Sequence, residues 1–524
     1  MVNILFRVDS SVQIGSGHVV RCLTLANELR REGARVAFVC RVLEGNLIGK
    51  IDAAGFVVHR LPEPMSKPTE GADYSAWLGV SQEQDAKETI QALRGKRFDW
   101  IVIDHYALDQ AWENILKPLT KKIMVIDDLA NRSHNCELLL DQNYFGDQGS
   151  ERYIGFVSQK TRLLLGPEYA LLQHEYALLK KMLPHNNGAV SRVLVFMGNT
   201  DEDNSSLKIL KALSHPSLDH LTVDVVLGTN YRWSDKVQQL ALKRGRVVVH
   251  QNLPTLAALI LRSDLVISAG GATTWERICL EKPAISVCIA ENQYLFNVLL
   301  AKEQYQISVF DGKSKAEDAW REEIYRLITN ASLLEEMIVR SRKLVDGCGA
   351  VRVVEALLNR HTVSLRKVEA EDRSLLLRWA NESTVREQSL QQEIITEQQH
   401  DIWLKEKLSD KRSYMYIAEN SKSEPIGLAR FQLDEKRATA VVGISMDATM
   451  RGKGLGQIML SNAMKKLQEV EPEIVFIAEV RKINTPSLKL FKKVGFKQME
   501  PSGQPGVDCF IFRSKAQKVL ASQM

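Results

Sequence analysis

Three short stretches of this 524-residue chain carry residue types that could do chemistry. The first is Gly15-Ser16-Gly17-His18, set between an apolar run, Val2–Val8, and a helical pattern in which Val19, Leu23, Ala26 and Leu29 share one face. Strand, Gly turn and helix together make an anion site. The first N–H groups of the helix are unpaired, its dipole is positive there, and Gly lets backbone approach a phosphate closely. A positive imidazolium is disfavoured at that helix start, so His18 would be a neutral imidazole, a usable general base. The pattern also suits a capping or packing histidine. It is neither a dinucleotide fingerprint, which needs a third Gly, nor a Walker A loop, which needs GK[ST].

The second stretch is Gly270-Gly271-Ala272-Thr273-Thr274, between an expected strand Leu265–Ser268 and an expected helix Thr273–Glu281. Gly270, Gly271 and Ala272 are expected to leave backbone N–H groups open, and Thr273 and Thr274 to add hydroxyls at the helix start. Glu276, one turn in, could accept two hydrogen bonds from a ribose diol. Pro283 ends this helix, and the next expected strand, Ala284–Ile289, is followed by Glu291, Asn292 and Gln293. Two Gly turns facing each other suggest a diphosphate held between them. The third stretch is Arg451-Gly452-Lys453-Gly454-Leu455-Gly456, opening a helix from Gln457 to Glu469. Successive backbone N–H groups at a helix start cradle phosphates, and Gly454 and Gly456 leave them room.

The elements that must position these residues fall into three blocks: 1–186, 187–360 and 363–524. In the first, strands are expected at Val2–Val8, Val36–Val39, Trp100–Asp104, Ile123–Asp127, Leu138–Leu140 and Leu163–Leu165, with helices such as Gln84–Leu93 and Leu108–Pro118 between them. Such alternation implies a parallel sheet covered on both faces, with ligands at the carboxyl ends of its strands. Asp104, His105 and Tyr106, and then Asp127 and Asp128, end two of those strands and would face the same crevice as His18, unless they are only polar caps of βα loops. A linker is expected at Pro184–Gly188. The second block alternates again, with strands at Arg192–Met197, Val223–Leu227 and Val247–His250, and a helix at Val345–Leu358 that could pack back on the first block. From Val363 the pattern becomes α+β. Strands are expected at Tyr414–Glu419, Pro425–Leu433, Thr439–Met446, Ile474–Val480 and Phe510–Arg513, and a helix at Pro486–Val494. The fold class read from this is two Rossmann-like α/β halves followed by an α+β domain.

Composition is ordinary for a globular protein: 45% hydrophobic, 25% charged and a net charge of +5. No run of five like charges calls for nucleic acid, and no apolar run reaches the roughly 18 residues of a membrane span. The chain enters a strand at once without a signal-peptide pattern. Its seven Cys are scattered without a CxxC pair and are expected to be reduced thiols rather than disulfides or zinc ligands. A cytoplasmic location is expected, with no metal, no nucleic acid and no membrane among the partners.

The strings RVDSSVQIGSGHVVRCLTLA, IDDLANR with DQN, LLLGPEYALL and SAGGATTWERICLEKPAISVCIAENQ span the first 360 residues. They resemble the UDP-sugar hydrolases of pseudaminic acid biosynthesis, which release UDP from UDP-2,4-diacetamido-2,4,6-trideoxy-β-L-altropyranose. The resemblance implies a GT-B fold, His18 as catalytic base, inversion at C1, and a uridine diphosphate site at GGATTWE with Glu276. Gly15, Gly17, Asn292 and Gln293 would add sugar or diphosphate contacts, and Asp104, Asp127 and Asp128 are candidates to orient His18 or the sugar. The last 160 residues are similar to GNAT-type N-acetyltransferases, by RGKGLG at Arg451–Gly456 and NTPSLKLFKKVGF at 484–496. This implies acetyl-CoA as cosubstrate, with Ile444, Ser445 and Met446 pairing with its pantetheine arm and Asn484 and Ser487 near it. Phe491 stands where many members have a Tyr that protonates the leaving thiolate. Water, Tyr414 or Tyr416 could serve instead, and Glu479 and Glu382 are candidate bases. A bifunctional enzyme is the implied whole: N-acetylation at C4 of a UDP-4-amino sugar, then hydrolysis to free sugar and UDP. A glycosyltransferase of the same fold, or the same chemistry in a legionaminic-type pathway, fits the same residues.

Overall fold

Runs such as Ile4–Phe6 and Ile101–Val102 are fully buried because helices cover both faces of a parallel sheet, leaving its central strands no polar side. The computed structural model describes residues 1–64, 74–183, 189–198, 201–228, 231–310, 315–359, 363–389, 392–499 and 507–512. The linker expected at 184–188 lies outside them. The chain forms two compact units, Met1–Leu358 and Asn359–Met524.

The first unit contains two sheets. Strands β1 (Asn3–Val8), β2 (Arg35–Arg41), β3 (Val57–Leu61), β4 (Phe98–Asp104), β5 (Thr120–Ile126), β6 (Leu138–Asp141) and β7 (Arg162–Leu165) are all parallel, in the order β3-β2-β1-β4-β5-β6-β7. The order reverses between β1 and β4, where Val8 lies opposite Asp104, so a crevice opens at the carboxyl ends of these two strands. Strands β8 (Arg192–Phe196), β9 (Thr222–Leu227), β10 (Val247–Gln251), β11 (Leu265–Ala269), β12 (Ala284–Val287) and β13 (Ile307–Val309) form a second parallel sheet, in the order β10-β9-β8-β11-β12-β13. Its reversal lies between β8 and β11, beside Gly270. The helix Gly349–Leu358 returns to the first sheet, where Ala350, Val353, Val354 and Leu357 share a core with Val19, Cys22, Leu23 and Ala26 of the helix Gly17–Arg31. Its first residue has to be Gly, because a Cβ there would lie 2.3 Å from the carbonyl oxygen of Ala170.

The second unit is a seven-stranded sheet of β14 (Ser364–Lys367), β15 (Ser413–Glu419), β16 (Pro425–Leu433), β17 (Thr439–Met446), β18 (Val475–Arg481), β19 (Lys497–Gln498) and β20 (Val507–Phe512), in the order β14-β15-β16-β17-β18-β20-β19. All neighbours are antiparallel except β17 and β18. These pair in parallel only over Thr439–Val441 and Val475–Ile477 and then part. The far half of β17 keeps its other neighbour, β16, as far as Met446. The parting leaves a notch in the sheet that opens toward Arg451–Gly456.

Several boundaries differ from the sequence reading. The strand expected to run to Ile289 stops at Val287, and the helix expected from Val345 starts at Gly349. The strands β3 and β13 and the helix Glu397–Ser409 were not anticipated. Among the described residues, no helix is long and apolar enough to cross a membrane.

Candidate active sites

The loop after β1 is fixed by a fully buried ionic network. Arg7 bonds Asp9 and Asp85, each at 2.7 Å, and Arg41 bonds Asp85 at 2.7 Å and gives its backbone N–H to Asp9 at 2.7 Å. Burial alone would raise the Asp9 carboxyl, but Arg7 and then His105 overcome it and hold Asp9 well below the usual carboxylate range. From this anchored start the chain turns through Gly15, at φ +76° with Ser11 bridged to it, and enters the helix at Gly17.

His18, on the first turn of that helix, is 7% exposed. Its Nδ1 lies 2.6 Å from Asp104 Oδ1, at the end of β4. Arg21, one turn further on, clamps both oxygens of the same carboxylate at 2.7 and 2.6 Å. Burial would raise Asp104, but Arg21 and then His18 outweigh it, and the carboxyl sits well below its ordinary value. An ionised Asp104 at 2.6 Å requires the imidazole proton on Nδ1, leaving Nε2 as the acceptor nitrogen. The Tyr106 ring stands edge-on to His18 at 4.7 Å, and its hydroxyl donates to Asp128 Oδ1 at 2.5 Å. Asn292, which follows β12 of the second sheet, donates to the same hydroxyl at 3.1 Å. His18, Asp104, Tyr106, Asp128 and Asn292 are therefore brought together. Asp127 is not: it pairs with Arg132 at 2.7 Å and accepts the Ala130 N–H, so it ties down its own loop.

The second Gly turn departs from expectation. Gly270 does not leave its N–H open, because the β11–β12 ladder extends one residue and that N–H donates to Val287 O at 2.8 Å. Gly270 is instead a packing site. A Cβ there would lie 2.5 Å from Asn297, whose amide donates to Gly270 O at 3.1 Å and Gln293 O at 2.7 Å. Thr274 is fully buried rather than presented to a ligand, whereas Ala272 is exposed and Gly271 sits 3.4 Å from the Gln293 amide, measured from a Cβ position. Thr273 is nearly buried at the start of the short helix Thr273–Cys279. Glu276 is partly buried beside Tyr176, and burial pushes its carboxyl up to about 7.

In the second unit, Ile444, Ser445 and Met446 lie on the part of β17 that β18 has left. The loop that follows holds Gly452 at φ +78° and Gly454 at φ +79°, with no heavy atom within 4 Å of a Cβ at either place. That space, the left-handed turn and the start of the helix Leu455–Gln468 fit a diphosphate cradle. Gly456 packs near Met446, the Leu455 side chain is in the core, and Lys453 is exposed. The Arg451 side chain turns away from the cradle. It forms two bonds to Glu382, at 2.7 and 2.6 Å, and reaches Met446 O. That pairing also takes Glu382 out of contention as a base. Asn484 caps the helix Thr485–Val494 by accepting the Ser487 N–H at 3.2 Å, so these two act first on each other. Tyr416 is buried against Phe431, and Tyr414 bonds Arg437, two strands from the notch, so neither stands in for Phe491. Glu479 is exposed on β18, just past the point where the strands part.

Sequence reading missed Arg21, although its offset of three from His18 on one helix face was a usable signal. It also missed Asp85 and Arg41, far apart in sequence and joined only by the fold.

Residues 362–497 match the family described as "Acetyltransferase (GNAT) domain". An uncharacterized protein of Methanocaldococcus jannaschii is 23% identical over 512 residues, covering 94% of this chain and 96% of its own length. The UDP-2,4-diacetamido-2,4,6-trideoxy-beta-L-altropyranose hydrolase of Campylobacter jejuni is 27% identical over 307 residues, 58% of this chain and 98% of its own. The spore coat polysaccharide biosynthesis protein SpsG of Bacillus subtilis is 21% identical over 351 residues, 67% of this chain and 96% of its own. The chain thus joins a homologue of the Campylobacter hydrolase to a GNAT domain.

Proposed function

We propose that the chain is a bifunctional sugar-nucleotide enzyme. Its second unit N-acetylates the C4 amine of a UDP-4-amino-4,6-dideoxy sugar from acetyl-CoA, and its first unit then hydrolyses the diacetamido product to free sugar and UDP. The observation that carries the hydrolase reading is the 2.6 Å bond between His18 and Asp104 at the reversal point of the first sheet, with Asn292 of the second sheet one residue away through Tyr106. The two-sheet build supports the GT-B arrangement that the sequence resemblance implies.

In this reading His18 Nε2 takes a proton from water as the water oxygen attacks C1. The bond from C1 to the diphosphate oxygen breaks, and its electron pair leaves with UDP. Asp104 holds the Nδ1 proton in place and stabilises the imidazolium that forms. Backbone amides around Gly271 and Ala272 supply positive potential for the diphosphate, and the Glu276 carboxylate accepts from the ribose diol.

In the second unit, the backbone of Ile444–Met446 on the open side of β17 pairs with the pantetheine arm of acetyl-CoA, and the Gly452–Gly456 loop holds its pyrophosphate. The acceptor amine, neutral, attacks the thioester carbonyl; the C–S bond breaks and the thiolate leaves. Glu479 is the candidate to take the amine proton, since Glu382 is held by Arg451.

The test is incubation with the UDP-4-amino sugar, with and without acetyl-CoA, followed by NMR of the products. UDP release that depends on acetyl-CoA and yields the free diacetamido sugar is expected. UDP release as fast without acetyl-CoA would refute the ordered pair of steps. UDP release that needs an added acceptor would make the first unit a glycosyltransferase.

A further inference from the structure

The notch face of the second unit carries an arginine that, among the described residues, no carboxylate pairs with. Arg430 of β16 stands opposite Gly443 of β17, and its side chain lies flat across that glycine. A Cβ at residue 443 would be 2.3 Å from Arg430 Nε and 2.8 Å from its Cγ. Side chains alternate along a strand, so Val441, Gly443 and Ser445 share this face with Leu428 and Arg430. Ile477 lies opposite Val441, so Glu479 and, beyond it, Cys509 of β20 belong to the same face.

Other arginines here are committed. Arg451 is held by Glu382, and Arg481 donates to the Glu387 carbonyl at 2.7 Å. The Arg430 guanidinium has only the Trp403 ring, 5.9 Å away, and among the described residues no carboxylate pairs with it. The Arg430 side chain is exposed on this face, and Arg386 lies near it. An exposed guanidinium laid over a glycine, with no carboxylate paired to it among the described residues, is open to an incoming anion on the face that also carries Glu479.

We propose that Arg430, seated on Gly443, binds a phosphate oxygen of the nucleotide-linked amino sugar, so that the acetyltransferase unit selects its acceptor while the nucleotide is still attached. This rests on the proposed function and adds the group that enforces the order of the two reactions. A guanidinium matches phosphate geometry and its charge-assisted bonds are strong. A free amino sugar, which carries no anion, would gain nothing from it. Gly443 has a stated role in this scheme, since any larger residue would push the guanidinium off its seat.

The test uses the full-length chain and the initial release of CoA thiol, which reads acetylation alone. Arg430→Ala is expected to raise the KM for the UDP-4-amino sugar roughly tenfold or more, the loss typical of a charged hydrogen bond. Its KM for acetyl-CoA should stay at the wild-type value. The wild-type preference, kcat/KM for the nucleotide-linked sugar over that for the same sugar without its nucleotide, should collapse by the same factor. Arg430→Lys should recover part of it, and Gly443→Val, which leaves the arginine in the chain, should reproduce the alanine variant. Added salt should raise the wild-type KM more than that of Arg430→Ala. An unchanged KM for the UDP-sugar in Arg430→Ala, or equal losses with the linked and the free sugar, would overturn the assignment while leaving the acetyltransferase reading standing. A wild-type chain that acetylates neither sugar would overturn both.

Discussion

At the scale of single residues, the hydrolase site turns on a proton position. Asp104 is fixed by Arg21 on one side and reads the Nδ1 proton of His18 on the other, so replacing it with Asn keeps the shape and removes the preference between tautomers. Asp104→Asn is expected to slow UDP release by roughly 10³- to 10⁴-fold, as loss of the orienting carboxylate does in comparable dyads, with UDP affinity little changed. Steady-state kinetics beside calorimetric titration with UDP measure the two effects separately, and a loss under tenfold would remove Asp104 from the mechanism. His18→Ala should abolish UDP release and leave CoA thiol release intact; loss of both would indicate misfolding. Glu276 carries a pH signature. Burial raises its carboxyl to about 7, and ribose binding favours the ionised form, so protonation works against the ligand. UDP affinity should therefore weaken as pH falls through 7, and Glu276→Gln should lose that component. Comparing wild type and variant at each pH cancels the titration of UDP itself, and parallel curves would count against the role given to Glu276.

At the scale of elements, the helix Gly349–Leu358 joins the end of the first unit to its beginning. Its seat permits no side chain at residue 349, where backbone of Tyr169 and Ala170 lies within 2.5 Å of a would-be Cβ. Gly349→Ala should cost at least ~2 kcal/mol of stability, the scale of an overpacked core, visible as a lower urea midpoint for the first unit. An unchanged midpoint would mean that the helix is not docked there. The elements that could be read in advance were those with a strong pattern. Strands β1, β4, β5 and β11 each contain an apolar run, at 4–6, 100–103, 123–126 and 265–267, because both faces of their sheets are covered there. Strands β3 and β13 are the outer strands of their sheets, short and half-exposed, and Val57–Leu61 mixes Val, His and Arg in a way that no period reveals. The Gly turns were legible as turns, but the use of each N–H was not. Gly270 looked open because the sequence does not say that the ladder to Val287 runs one residue further. Arg451 looked like a phosphate ligand because its partner, Glu382, lies 69 positions away.

At the scale of the whole molecule, two units with separate cores divide at Leu358 and Asn359. Separate cores predict separate cooperative transitions, so calorimetry should resolve two unfolding events, with acetyl-CoA raising one and UDP the other. A single transition shifted by both ligands would mean that the units unfold together. In the sequence, parallel α/β alternation gives way to an antiparallel pattern near residue 363. The notch between β17 and β18 is not legible there, because strand pairing that starts and then stops leaves no mark on either strand alone. That notch has a colloidal consequence. A sheet interrupted from within presents backbone donors and acceptors much as an outer strand does, and another chain can add to it as readily as a pantetheine arm can. The protein should therefore be most prone to self-association when coenzyme A is scarce. Light scattering at 37 °C should rise more slowly with the coenzyme present, which would then act as a solubilising guard as well as a reactant.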